Sequence, residues 1–281
     1  MFYFDIFSQI CKYLNNKDKI GLSAISHATD CFKYRLIYTN RIFEPRIRGL
    51  PFYDNFECVN INCTCAKIPK NTKKMHMACF RECDRNPELL SLNNLTHLVL
   101  YKTSTLSSRR CAGQENICYV YQNILIPKSV THLKIGGHFD QPINIPNSVT
   151  HLIFGGHFNQ SIEKVLPNFI THLTFGEYFN RSIKNIIPNS VTHLTFGYSF
   201  NASIKNCIPD SVTHLTLRYG FDNFGTRLPA SITCLKLENY SNIKHKTLFV
   251  KDLDNFTEDY HHILKKYIPG SMNEIIIVSK E

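Results

Sequence analysis

Six histidines occupy one position of a recurring Thr-His-Leu triplet: His97, His132, His151, His172, His193 and His214. Imidazole is the side chain whose ordinary pKa, about 6.5, lies nearest neutral pH, and it is also the commonest metal ligand. Such a row therefore suggests either metal binding or a response to protons. Zinc needs ligands that converge on one point, and no Asp, Glu or Cys recurs beside these histidines, so neither metal nor cofactor is expected here. The simpler reading is a polar, half-stacked ring on a solvent-facing strand, with like-charge repulsion between neighbours below about pH 6.

A second cluster is Cys58, Cys63, Cys65, Cys79 and Cys83, with His76 among them. It lacks the paired Cys-x-x-Cys knuckles of a zinc site, so small apolar fillers are favoured over structural zinc. Lys67, Lys70, Lys73 and Lys74 form a basic run without interleaved aromatics, which reads as a solvated loop and makes nucleic-acid binding an unfavoured reading. Nowhere do a nucleophile, a base and an orienting group recur together, and there is no Gly-rich phosphate loop, so an enzyme is not expected.

The elements that must position the histidines are repeats. From Pro127, Pro146, Pro167, Pro188 and Pro209 the chain spells five copies in register, such as PNSVTHLTFGYSFNASI, with a shortened sixth from Pro229. The prolines step by 19, 21, 21, 21 and 20 residues. Asn93 to Leu100 and Pro269 to Ile277 read as worn end copies. Within a copy, Leu194 and Phe196 share one face of a strand, which turns His193 and Thr195 to the other. Gly197 permits the exit, Phe200 and Ile204 return to the interior, and Pro188 fixes the approach to the strand. About 21 residues is too short for a strand, a full helix and two connections, so the return is expected to be extended or a short 3₁₀ turn. Stacked coils make a parallel sheet with strands about 4.8 Å apart over a continuous apolar column.

Asn159, Asn180 and Asn201, with Asp140 and Asp222 at the equivalent place, follow the repeat's Phe and are expected to bond turn backbone. The row Lys134, Ile153, Thr174, Thr195, Thr216 and Lys236 beside the histidines varies as a partner-facing surface would. Its first five members, with His132, His151, His172, His193 and His214, form the candidate target-binding face.

Composition agrees with a folded binding protein. The 281 residues are 43% apolar, and the net charge of +10 is spread over both ends of the chain. Asp5, Lys12, Lys17, Asp18 and Lys19 interrupt any leader-like run, and no window reaches the roughly 18 apolar residues of a membrane span. A soluble protein of a reducing compartment is expected, its 11 cysteines free.

The repeats resemble the FNIP repeat, seen as Phe158-Asn159-Gln160-Ser161-Ile162 and Phe179-Asn180-Arg181-Ser182-Ile183. That resemblance implies a leucine-rich-repeat-like solenoid for binding other proteins, similar to arrays of social amoebae and of giant viruses that infect them, and hence a cytoplasmic setting, the host's if viral. Residues 1–45 carry helical spacing at Ile6, Phe7, Ile10, Tyr13 and Leu14, with a break at residues 15–18. The run Asp5-Ile6-Phe7-Ser8-Gln9-Ile10-Cys11-Lys12-Tyr13-Leu14, then Asp18-Lys19-Ile20 and Ile25-Ser26, resembles an F-box, with Tyr3 in place of the usual Pro and Phe32 in place of the usual Trp. An F-box implies docking on a Skp-type adaptor of a cullin-RING ubiquitin ligase, here through Asp5, Ile6, Ile10, Tyr13 and Leu14.

The expected fold is α+β. It comprises an F-box-like helical domain at 1–45, a Cys/Lys-rich junction at 46–90, a parallel β solenoid of about 20–21-residue coils at 91–240, and a helix/strand cap at 241–281. Asp252 to Tyr267 carries apolar residues at amphipathic-helix spacing and is expected to cover the last open edge. The expected function is that of a substrate-recognition subunit of a Skp-cullin-F-box type ligase. The alternative is an interaction scaffold whose N-terminal helices only cap the solenoid.

Overall fold

A coil closes because its apolar positions come in a fixed order. Val191, Leu194, Phe196, Phe200 and Ile204 are all buried, whereas His193 and Thr195 between them are only half-buried. In the computed structural model, residues 2–61, 67–78, 87–101, 125–136, 143–163, 165–218, 221–239, 246–249, 266–269, 272 and 274–279 are described. They form two units, residues 1–130 and 131–281.

The second unit is a parallel β solenoid. Its strands are β5 (His132–Ile135), β6 (His151–Phe154), β7 (His172–Thr174), β8 (His193–Thr195), β9 (His214–Arg218), β10 (Cys234–Asn239), β11 (Lys246–Phe249) and β12 (Glu274–Ser279). β5 to β10 pair in sequence order, each histidine opposite the next. β12 then pairs in parallel with β10, so the worn copy at Pro269 supplies another coil, and β11 lies antiparallel outside it. Of the amphipathic segment expected from Asp252, only Lys266 and Tyr267 are described, and they are helical. The rest, like Asp140, Cys63, Cys65, Cys79 and Cys83, lies outside the described residues.

Each coil begins with the same four-residue turn. The N–H of Val149, Val191 and Val212 donates to the carbonyl of Pro146, Pro188 and Pro209, and Met272 repeats this onto Pro269. The turn's serine then reaches the preceding coil, as in Ser190 Oγ to the Ile170 carbonyl at 2.6 Å and Ser211 Oγ to that of Val191 at 2.8 Å. The return path is a single turn, with the N–H of Ile186 on Ile183 O and that of Cys207 on Ile204 O. A left-handed Asn is the third residue of each of these two turns, Asn185 (φ 58°) and Asn206 (φ 54°), a conformation Asn tolerates better than most side chains.

The interior is two aromatic columns. Phe154, Phe175 and Phe196 stack from coil to coil at 5.7 and 5.3 Å, and Phe158, Phe179, Phe200 and Phe221 at 6.4, 6.2 and 5.9 Å. Within a coil the columns touch, as in Phe196 and Phe200 at 4.0 Å. Fully burying one such ring is worth about 1.5–3 kcal/mol, and no coil can do it without its neighbours.

The first unit holds α1 (Phe2–Cys11), α2 (Asn16–Ser23), α3 (His27–Asp30) and α4 (Pro87–Ser91), with strands β1 (Ile42–Phe43), β2 (Cys58–Ile61), β3 (Lys74–Ala78) and β4 (His97–Tyr101). These four strands pair in parallel in sequence order. The stretch read from sequence as a junction thus carries β2 and β3, and buried Val59, Ile61, Met75 and Met77 form the apolar side of those strands. Lys73 lies 2.6 Å from Glu57 and Lys70 4.0 Å from Asp54, so two lysines of the basic run have carboxylate partners. Among the described residues no helix is long and apolar enough to cross a membrane.

Candidate functional site

The histidine row is built by backbone bonds that leave little freedom. One carbonyl on each coil accepts two N–H groups from the next: Thr150 and His151 donate to Thr131 O at 2.9 and 3.0 Å, and Thr192 and His193 to Thr171 O at the same distances. With registration fixed there, the rings stack. His132, His151, His172, His193 and His214 have successive centroids 4.1, 4.1, 4.1 and 4.2 Å apart and planes within 15°. The threonine before each histidine orients it. Thr131, Thr150, Thr192 and Thr213 Oγ1 lie 2.9 Å from the neighbouring Nδ1, and Thr171 Oγ1 lies 3.0 Å from that of His172. Sequence reading missed this role; the signal was the Thr-His pair present in all five full copies and broken only at Thr233-Cys234 of the shortened sixth.

This arrangement disfavours charge. The imidazoles of His151, His172 and His193 lie below the ordinary histidine pKa, first because the site is partly desolvated and then because neighbouring rings repel a second proton. The rings lie parallel instead of converging, and among the described residues no three His, Cys, Asp or Glu side chains meet where a metal could sit.

Beside the imidazoles run Lys134 and Ile153, both exposed, and Thr174, Thr195 and Thr216, half-buried. The structure therefore gathers all ten residues of the candidate face onto one side of β5 to β9, opposite buried Leu133, Leu152, Leu173, Leu194 and Leu215. On the turns leaving the strands stand exposed Tyr178 and Tyr198, the former stacked on His157 at 4.9 Å. Sequence reading passed over them because their positions shift between copies.

The asparagine row has a structural role between coils. Asn159 Oδ1 accepts the N–H of Asn180 at 3.0 Å, and Asn180 Oδ1 that of Asn201 at 2.9 Å. The turn bonds expected for these residues are thus made to the neighbouring coil's turn. Gly155, Gly176 and Gly197 form a further column, in which a Cβ on Gly176 would meet the Gly155 carbonyl and one on Gly197 that of Gly176.

In the first unit, α1 divides cleanly. Phe7 and Cys11 are buried, and Phe32 packs on Phe4 and Phe7 with centroids 5.1 and 5.0 Å apart. Ile6, Ile10 and Tyr13 remain 62%, 51% and 91% exposed at steps of four and three residues. Asp5 is exposed beside them and Leu14 is half-buried in the turn after α1. Asn15 then caps α2, its side chain accepting the Asp18 N–H at 3.0 Å. Lys19 is buried and donates to the Ile37 carbonyl at 2.9 Å, while Asn16 Nδ2 donates to Asn40 O at 2.8 Å.

Residues 122–157, 158–199 and 179–220 match the family model of the FNIP Repeat. The structure is similar to the crystal structure of CroV588, described as a novel circular LRR protein, with 28% sequence identity and a TM-score of 0.52 over 81% of this chain and 34% of that one. The chain therefore spans about a third of that protein's length. No curated protein matches it. Residues 122–220 are thus similar to FNIP repeats, here wound into a leucine-rich-repeat-like parallel solenoid, which suggests a protein-interaction repeat scaffold.

Proposed function

We propose that this protein is a substrate-recognition subunit of a Skp-cullin-F-box type ubiquitin ligase, working in the cytoplasm. The N-terminal helices bind the Skp-type adaptor of a cullin-RING ligase, and the sheet face of the repeats holds the target. The protein transfers no ubiquitin itself; it brings the two partners within reach of one another.

The observation that carries this reading is the exposed apolar stripe that runs along α1 and into the turn after it. Ile6, Ile10 and Tyr13 face solvent while Phe7 and Cys11 complete the core on the other side of the helix. Apolar side chains aligned on one exposed helix face offer area that a partner's groove can bury. The stripe falls on the residues through which the sequence resembles an F-box.

A second reading, a scaffold whose helices only cap the array, is favoured by one specific feature. Lys19 and Asn16 of α2 are tied to the chain at Ile37 and Asn40 just before β1, as a cap's would be. The two readings part in a pull-down of the purified full chain with a purified Skp-type adaptor, beside Ile10→Asp and Tyr13→Asp variants. The ligase reading predicts capture by the wild type and loss in both variants; no capture by the wild type leaves the scaffold.

A further inference from the structure

The charge pattern of the repeat face selects the chemistry of its partner. Along β5 to β9 the outward positions hold five stacked imidazoles with Lys134 and no Asp or Glu; β10 adds Lys236, and the backbone register places Glu238 opposite Arg218 and Glu274 of β12 opposite Cys234, at that end of the row. Arg218 of β9 also belongs to this side, its guanidinium bonded to the Phe200 carbonyl and Asn201 Oδ1 at 3.3 and 3.1 Å. Of the other charged groups, those nearest by sequence lie on the connecting turns: Lys128 and Asp210 entering, Glu177 leaving.

The inner rings, His151, His172 and His193, resist protonation because burial and their own neighbours oppose it, and no carboxylate contributes. Carboxylates laid along the row would supply the opposite charge that favours imidazolium, so that anion binding and proton uptake reinforce one another. The row runs over five rings spaced 4.1–4.2 Å, a length that roughly five residues of extended chain would cover.

We propose that this face binds an acidic, extended segment of the target protein, lying across the strands with its carboxylates on the imidazole row, and that binding takes up protons. The inference rests on the reading of the sheet face as the target site. A nucleic acid fits less well. Outward positions of these strands hold His, Lys, Ile, Thr, Arg, Cys and Glu, without the Phe, Tyr or Trp platforms that stack bases. The exposed Tyr178 and Tyr198 stand on turns, beside Glu177.

The test uses the full chain and a fluorescein-labelled ten-residue Asp/Glu-Gly peptide, its Asn/Gln-Gly counterpart and an oligouridylate of similar length. Anisotropy is read at constant salt at about pH 7.5 and about pH 5.5. The acidic peptide is expected to bind about tenfold more tightly at the lower pH, and the amide peptide not to bind. A His172→Gln, His193→Gln pair should flatten the pH dependence, and a Lys134→Gln, Lys236→Gln pair should weaken binding at both pH values. Lys184→Gln with Lys205→Gln, on the return turns, should bind as the wild type does. Equal loss in that last variant, equal binding of the amide peptide, preference for the oligouridylate, or affinity independent of pH would each overturn the proposal. So would failure of the acidic peptide while Thr195→Arg abolishes capture of lysate proteins, an outcome that keeps the face as the target site and discards only the acidic class.

Discussion

His172 and His193 lie ring on ring, centroids 4.1 Å apart and planes 12° from parallel, although 21 residues separate them in the chain. Each is oriented by the threonine before it, and that threonine's backbone N–H and the histidine's own reach the same carbonyl of the preceding coil. The stack is thus a by-product of exact registration, and it reports on registration.

Protonation should therefore cost stability. The inner imidazoles have folded-state pKa values below their ordinary value of about 6.5, so the unfolded chain binds more protons around that pH. Their contribution is complete above about pH 6.5 and is lost as pH falls through the folded-state values. Thermal melts should show a lower Tm at about pH 5.5 than at about pH 7.5, and the His172→Gln, His193→Gln variant should lose less over that interval. Equal melting temperatures in the wild type would contradict this.

Gly176 and Gly156 make a matched pair. A Cβ at Gly176 runs into the backbone carbonyl of Gly155, which cannot move without breaking the coil spacing, whereas at Gly156 nothing lies within 4 Å. Gly176→Ala is expected to destabilise by about 2–3 kcal/mol or more, and Gly156→Ala to stay within about 0.5 kcal/mol. Urea titrations of the two variants compare them directly.

Asn180 both donates and accepts along its row, through its N–H to Asn159 Oδ1 and its Oδ1 from the Asn201 N–H. Asn180→Ala removes only the second bond and is exposed, so a loss of about 0.5–1 kcal/mol is expected, and Asn180→Asp, which keeps an acceptor, should recover most of it. Chemical denaturation of the three proteins is sufficient to see the ordering.

On α1 the exposed and buried faces should respond oppositely. Ile10→Asp adds a charge where the side chain is 51% exposed and should leave Tm nearly unchanged, while Phe7→Asp buries an unpaired carboxylate against Phe32 and should unfold the helical region. Far-ultraviolet circular dichroism on heating separates the two.

The repeat was legible because its chemistry is periodic: four copies of Val-Thr-His-Leu and one of Ile-Thr-His-Leu place Leu and His on opposite faces whatever the rest of the chain does. The positions of β2 and β3 were not, since Cys58 to Ile61 and Lys74 to Ala78 share no spelling with the repeat and only the pairing of β2 with β3 and of β3 with β4 reveals them. Nor did the turn asparagines disclose that they join neighbouring coils, because a side chain one residue into a turn can reach its own backbone as readily as the next layer's. The face was readable as a set of residues, but the threonine contacts that orient its rings depend on side-chain geometry. The outer edge depended on long-range order, with β12 paired to β10 ahead of β11.

The account turns on whether α1 is a docking surface. Hydrogen–deuterium exchange of the full chain, alone and with a saturating purified Skp-type adaptor, measures this at the helix itself. Slowed exchange across residues 6–14, absent in the Ile10→Asp variant and not mirrored on β5 to β9, is the predicted result. Unchanged exchange throughout α1 with the adaptor present would contradict it.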